Sequence, residues 1–336
     1  MPLSREQLGE LMKRRPVMLA PMEDVSDVIF RRIARGFGAD VCFTEFVNVE
    51  GLLRGCRNAR RKMLLDETER DSTAIQIYGS DAERLAEAAR VAEEARPAFV
   101  DINCGCWVPK IAGRGAGAGW LRDPDAMVAM AGMVVRTAGC AVTVKTRLGY
   151  GTKGEGTSGD LPIVELAKRL EGAGVAAITL HCRTAAMGHS GAADWTWAAK
   201  VREVVSIPVV VNGDVVDADS AERAFRETQC DAVMVGRRAI EHPWVFREIR
   251  ARRDGLPDAL QPTVAERLEL CREHLRANVA QRGEPYGVRV TRRHLSGYLR
   301  GMPGAAELRR RLLFCDSLEG CLAILDEYER GSETAA

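Results

Sequence analysis

Phe99-Val100-Asp101-Ile102-Asn103-Cys104-Gly105 starts apolar and ends polar on a glycine, and this shape decides the fold because the chain repeats it. Val17–Pro21, Val41–Phe46, Ala74–Gly79, Val142–Gly149, Ala177–Arg183, Val209–Asp214 and Ala232–Arg237 are seven further short β-rich runs, most of them with polar residues at the end. The intervening segments mostly read as amphipathic helices. The clearest is 81–96, where Leu85, Ala88, Ala89, Val91 and Ala92 form an apolar side behind a Ser80/Asp81 cap. Eight alternating units predict an α/β fold of the (β/α)8, or TIM, barrel type. An open doubly wound sheet would carry a glycine fingerprint after its first strand, and Pro21-Met22-Glu23-Asp24 stands there instead.

Beyond the eighth run the pattern changes. Leu256, Pro257 and Pro262 mark a connection, and helical periodicity follows at 263–281, 288–300 and from Ala305 onward. The expected organisation is a catalytic barrel over 1–255 and a smaller C-terminal helical domain over 256–336.

Composition bounds the function classes. With 46% hydrophobic and 28% charged residues the chain reads as a folded globular protein, and no apolar run reaches the roughly 18 residues of a membrane span. The opening Met-Pro-Leu-Ser-Arg-Glu has no apolar signal core, so a cytoplasmic location is the expectation. The ten cysteines include no Cys-x-x-Cys pair and no histidine grouping at zinc spacing, so no metal is expected. A net charge of +1 neither requires nor excludes a nucleic-acid partner.

In such a barrel the strand C-termini and the loops after them carry the active site. The polar residues that fall there are Gln76, Asn103, Cys104 and Cys106, Lys145 and Arg147, His181 and Arg183, Asn212-Gly213-Asp214, and Gly236-Arg237. Gly213 and Gly236-Arg237, on the last two strands, offer open backbone N–H groups and a positive charge, as phosphate recognition requires. Lys145 is suited to the electron-rich edge of an isoalloxazine and Gln76 to an amide contact, a combination that points to FMN. The glycines alone would suit a sugar-phosphate substrate equally. Cys106 lies just past a strand end in a glycine-containing turn, where a thiol can face a cavity, and Cys104 is a lesser rival. The glycine-rich, basic segment 110–119 and the segment 149–159 read as candidate covers.

Several motifs resemble the tRNA-dihydrouridine synthase family, from about Val17 to Glu307. These are Leu19-Ala20-Pro21-Met22 with Val25-Ser26-Asp27, Thr44-Glu45-Phe46, Asp101-Ile102-Asn103-Cys104-Gly105-Cys106 and Val144-Lys145-Thr146-Arg147. His181-Cys182-Arg183-Thr184, Asn212-Gly213-Asp214, Gly236-Arg237 and Arg293-His294-Leu295 follow in family order. The resemblance implies an FMN-dependent, NADPH- or NADH-consuming reduction of the uracil C5–C6 double bond in tRNA. It implies flavin contacts from Pro21, Met22, Gln76, Lys145, His181, Asn212, Gly213, Asp214, Gly236 and Arg237, and makes Cys106 the acid that protonates C5. Asn103, Arg147, Arg183 and Arg293 become expected substrate-binding residues. Arg292, Arg300, Arg309 to Arg311 and Arg114 are further candidates for phosphate contacts, and a monomer is expected. Ribosomal RNA, or a small pyrimidine or enone, is the alternative substrate. Two positions depart from the family pattern. Trp107 follows Cys106 where the family usually has proline, and its large indole would either reshape the loop or offer a stacking surface for a base; Glu23-Asp24 replaces a smaller pair and adds carboxylates close to the expected flavin edge.

Overall fold

The computed structural model describes residues 2–151, 163–259 and 261–333; most of the candidate cover at 149–159 falls outside them. The strands are β1 (Val17–Leu19), β2 (Val41–Phe43), β3 (Val47–Asn48), β4 (Thr73–Tyr78), β5 (Val100–Cys104), β6 (Val142–Arg147), β7 (Ala177–His181), β8 (Val209–Asn212) and β9 (Ala232–Val235). All pairings are parallel. They run from β2 through β1, β9, β8, β7, β6 and β5 to β4, and β4 pairs back onto β2 to close an eight-stranded barrel. The short β3 continues the line of β2, pairing with Ile77 and Tyr78 after β2 has paired with Thr73 and Ala74. Each of the eight runs read from the sequence contributes one barrel strand.

Strand side chains alternate between two faces, which explains the apolar-then-polar shape of the runs. One parity of the strand residues, Met18, Val41, Phe43, Ala74, Val210, Ala232 and Met234, joins Phe99, Ala141 and Ala177 in a single apolar cluster. Leu8 and Met12, from the helix Arg5–Met12, complete it at the strands' N-terminal end. Leu3 anchors this segment, donating its N–H to the Ala98 carbonyl and accepting that of Ala141. Farther along the same parity the residues become Gln76, Asp101, Asn103, Lys145, His181 and Asn212. The other parity, including Ile75, Ile77, Ile102, Val144, Ile178 and Leu180, is fully buried on the side that the helices cover.

The chain divides into two compact units, Met1–Gly236 and Arg237–Ala336. The division falls earlier than the expected 255/256 boundary, because the helices Arg237–Glu241 and Val245–Arg253 belong to the second unit. Packing explains it. A side chain on Gly297 would lie 2.2 Å from the Glu241 Cα, so the bare backbone lets 237–241 sit against the helix Tyr286–Tyr298. The His294 ring Nδ1 also lies 3.1 Å from the Ile240 carbonyl oxygen. Within this unit His274, His294 and Tyr298 form a buried aromatic cluster. Among the described residues, no helix is long and apolar enough to cross a membrane.

Candidate active site

A buried polar chain crosses the barrel beneath Cys106. Thr143 donates its hydroxyl to one carboxylate oxygen of Asp101 at 2.5 Å, and Gln76 donates its amide to the other at 2.6 Å. Asn103 donates to the Gln76 carbonyl at 2.9 Å. The Asn103 carbonyl then accepts the backbone N–H groups of Gly105 at 3.0 Å and Cys106 at 2.9 Å. Strand register puts these groups side by side, pairing Gln76 with Asp101, Asp101 with Thr143 and Asn103 with Lys145. Burial pushes the Asp101 carboxyl up to about 7, against the opposing pull of its hydrogen bonds and of Lys145.

Cys106 occupies the turn that this chain shapes. It is half-buried, whereas Cys104 is fully buried and its thiol is raised well above the ordinary value by burial. Cys104 is thereby placed among the packed residues, and Cys106 alone of the two reaches open space. Burial also raises the Cys106 thiol, while its bond to the Val108 backbone and the charges of Arg147 and Lys145 oppose the rise. The segment 110–119 is folded back on Cys106 instead of forming an open cover. It overlaps the helix Pro109–Ala112 and the 3-10 turn Gly117–Arg122, and Ala118 donates its N–H to the Cys106 carbonyl at 2.9 Å. Gly117 is required there, since φ is +56° and a Cβ would lie 2.8 Å from that same carbonyl oxygen.

The cations come from β6 and the residues after β7. Lys145 donates to the Asn212 carbonyl at 3.0 Å, and Asn212 is fixed by donating to the Met234 carbonyl. Burial, helped by the Arg147 charge, lowers Lys145 to about 8, so it remains mainly charged at neutral pH. His181 is held far below its ordinary value by burial and then by Lys145, Arg147 and Arg183, and is therefore neutral.

Arg147 and Arg183, both expected to grip substrate, also hold groups of the protein. Arg147 donates to the carbonyls of Gly105, Thr184 and Gly188 at 2.8, 2.9 and 2.9 Å. It thus ties the Cys106 turn to the loop after β7. Arg183 forms a two-oxygen contact with Asp214 at 2.6 and 2.7 Å and donates to the Gly191 carbonyl. Asp214 also accepts the Ala193 N–H. Gly213 precedes it at φ +111°, where a Cβ would lie 2.9 Å from the Ala193 Cβ and 3.1 Å from the His181 ring.

Pro21 and Met22 follow β1 and are partly buried, with Met22 clamped by Ser26, whose hydroxyl accepts its N–H and donates to its carbonyl. Gly236 ends the first unit and Arg237, exposed, begins the second. Arg293 is exposed on the helix Tyr286–Tyr298 of the second unit.

Two groups near the site carry no strand-end signal in the sequence. Lys62 is buried between Glu23, which it contacts, and Glu45, 4.0 Å away, so the unusual Glu23-Asp24 pair has a fixed counter-charge. Glu45 accepts the Asp24 N–H, and its carboxyl is raised by burial. The other group is the ring pair of Trp107 and His189, 5.7 Å apart and edge to face. The sequence marks Trp107 as a departure from the family pattern whose indole could reshape the loop or stack on a base, but it gives no sign of His189, which sits in another loop.

The family model for dihydrouridine synthase (Dus) matches residues 18–330. A protein of Synechocystis sp. named "Probable tRNA-dihydrouridine synthase 1" is 35% identical over 322 residues, covering 96% of this chain and 88% of the relative. tRNA-dihydrouridine synthase B of Pseudomonas aeruginosa is 36% identical over 296 residues, covering 87% and 86%. A structure of 2-naphthoyl-CoA reductase with 2-naphthoyl-CoA resembles 72% of this chain, and half of its own chain, at a TM-score of 0.52 and 12% identity, a likeness of fold. With most of its length matched, and with relatives above 30% identity, the chain belongs to the dihydrouridine synthase family of oxidoreductases.

Proposed function

We propose that this protein reduces the C5–C6 double bond of uridines in tRNA, with FMN as the bound cofactor and NADPH or NADH as the reductant. The observation that carries the reading is Cys106, a neutral thiol fixed by Asn103 in the same barrel mouth as the Lys145 cation. The names of the relatives support tRNA as the substrate.

The residues fit a flavin phosphate ester. Lys145 uses one of its three N–H donors on Asn212 among the described residues, which leaves donors for an electron-rich ring edge. His181 is neutral, and a Cβ added at Gly236 would meet the Ala20 Cβ at 3.8 Å, an ordinary contact distance. Lys145, His181, Asn212, Gly213 and Gly236 would hold the group, with Pro21, Met22, Gln76 and Asp214 around it. When bound, FMN supplies hydride for C6 of the uracil.

Cys106 supplies the proton for C5. Its raised pKa keeps the S–H bond intact at neutral pH, as an acid requires. As the proton leaves, the thiolate forms beside the Arg147 and Lys145 charges, both of which favour it. Because Cys106 is partly exposed, solvent can restore the proton for the next cycle. Arg147 acts by position, joining the turn that carries the acid to the loop after β7.

A stacked uridine must leave its helix to reach this site, at a cost of a few kcal/mol. Part of the RNA grip is assigned to the barrel itself. Arg57 and Arg60 are exposed on the helix Arg57–Lys62, whose last residue contacts Glu23 in the loop that follows β1. Several arginines that are candidates for phosphate contacts are paired with carboxylates. Arg292 pairs with Asp316, Arg300 with Glu241, Arg310 with Glu307 and Arg311 with Glu327. Arg293 and Arg114 are exposed and remain assigned to RNA.

The test is to incubate flavin-loaded protein and NADPH with unmodified tRNA, ribosomal RNA fragments or free uridine, and measure dihydrouridine by mass spectrometry. Turnover on tRNA is expected. Turnover on free uridine alone would overturn the RNA reading, and turnover on ribosomal RNA alone would replace the substrate.

A further inference from the structure

We propose that Trp107 and His189 form a stacking platform for the nucleobase next to the uridine being reduced. This rests on the reading of the protein as an RNA-uridine reductase and adds a substrate contact to it.

Trp107 directly follows the proposed acid in the chain and is 38% exposed, whereas Trp195 and Trp244 are 7% and 3% exposed. Trp120, Trp195 and Trp244 each donate their indole N–H within the fold, to the Gly79 carbonyl, the Gly213 carbonyl and the side-chain carbonyl of Gln261 respectively. No such bond fixes Trp107 among the described residues, so its indole is held by packing alone. Its support is Gly188, buried and at φ +56°, where an added Cβ would lie 3.4 Å from three atoms of the indole. The Gly188 carbonyl accepts from Arg147, and the same guanidinium holds the Gly105 carbonyl in the Cys106 turn. Acid and indole are therefore fixed by one buried cation.

The rings continue inward. His189 is exposed and stands edge to face with Trp107, with centroids 5.7 Å apart. His181, at the end of β7, lies 6.3 Å beyond His189. Aromatic surface thus leads from the solvent side of Cys106 to the strand end.

Such a surface has a chemical use in this reaction. Extruding a uridine removes a stacking partner from its chain neighbours, and an exposed aromatic face at the point of entry replaces it. A nucleobase suits it better than a specific polar ligand, because stacking accepts any base.

The experiment uses flavin-loaded protein and short single-stranded RNAs with one uridine, flanked either by adenines or by abasic sites. Binding is read by tryptophan fluorescence and reduction by KM and kcat. For the unaltered protein, adenine flanks should quench fluorescence and lower KM about ten-fold relative to abasic flanks. Trp107→Ala should remove that preference through KM, His189→Ala should reduce it, and Trp107→Phe should retain most of it. Retention of the full preference by Trp107→Ala would overturn the platform while leaving the RNA-reductase reading intact. Failure of the unaltered protein to bind or reduce any RNA would overturn both.

Discussion

The side-chain carbonyl of Asn103 accepts the backbone N–H of Cys106 at 2.9 Å, so a residue three positions earlier sets where the thiol stands. The bond is the last in the series that begins at Thr143 and Asp101 and passes through Gln76. The position of the proposed acid is therefore determined from inside the barrel.

Replacing Asn103 with alanine removes the acceptor for two N–H groups and leaves the Gln76 carbonyl without its donor. The expected cost is about 1–3 kcal/mol of stability, together with a fall in kcat larger than any change in KM. Denaturant unfolding and steady-state dihydrouridine formation would measure both. An unchanged kcat would remove Asn103 from the positioning role.

Cys106→Ala should keep flavin absorbance and NADPH oxidation but lose uridine reduction. In the unaltered protein the rate should hold through neutral pH and fall as pH rises past about 8, where Lys145 loses its charge. At still higher pH the raised thiol ionises and can no longer donate. A pH profile of single-turnover reduction would reveal this limb. Lys145→Arg should move it upward, since guanidinium does not titrate there.

Asp101 makes a signed prediction about stability. Its carboxyl is held near 7 when folded against an ordinary value of 3.8, so between those values the folded state binds more protons than the unfolded chain. Stability from this group is therefore present below about pH 4 and declines as pH rises to about 7. Asp101→Asn should flatten the dependence of Tm on pH in that window. Thermal melts at pH 4 to 7 would show it, and an unaltered slope would assign the dependence elsewhere.

Gly297→Ala tests the packing of the second unit. The added methyl would meet the Glu241 backbone at 2.2 Å, so the helix Arg237–Glu241 must shift, at a cost of about 1–3 kcal/mol. Hydrogen exchange should show faster opening of 237–241, while protection of β5 and β6 stays unchanged.

The eight barrel strands are legible in the chain alone, because apolar-to-polar runs separated by amphipathic helices admit few other folds. So are the strand-end residues, since alternation aims Gln76, Asn103, Lys145, His181 and Asn212 alike once their strands are placed. What those groups are bonded to emerges only when the barrel closes. Arg147 and Arg183 are marked in the sequence only as expected substrate contacts, and the backbone carbonyls and Asp214 that they hold come from distant loops. The Lys62 counter-charge to Glu23 and the pairing of Trp107 with His189 are equally hidden, because each joins residues far apart in the chain. Local pattern fixes which way a strand residue points; hydrogen-bond partners across a barrel depend on closure and register, which no local pattern contains.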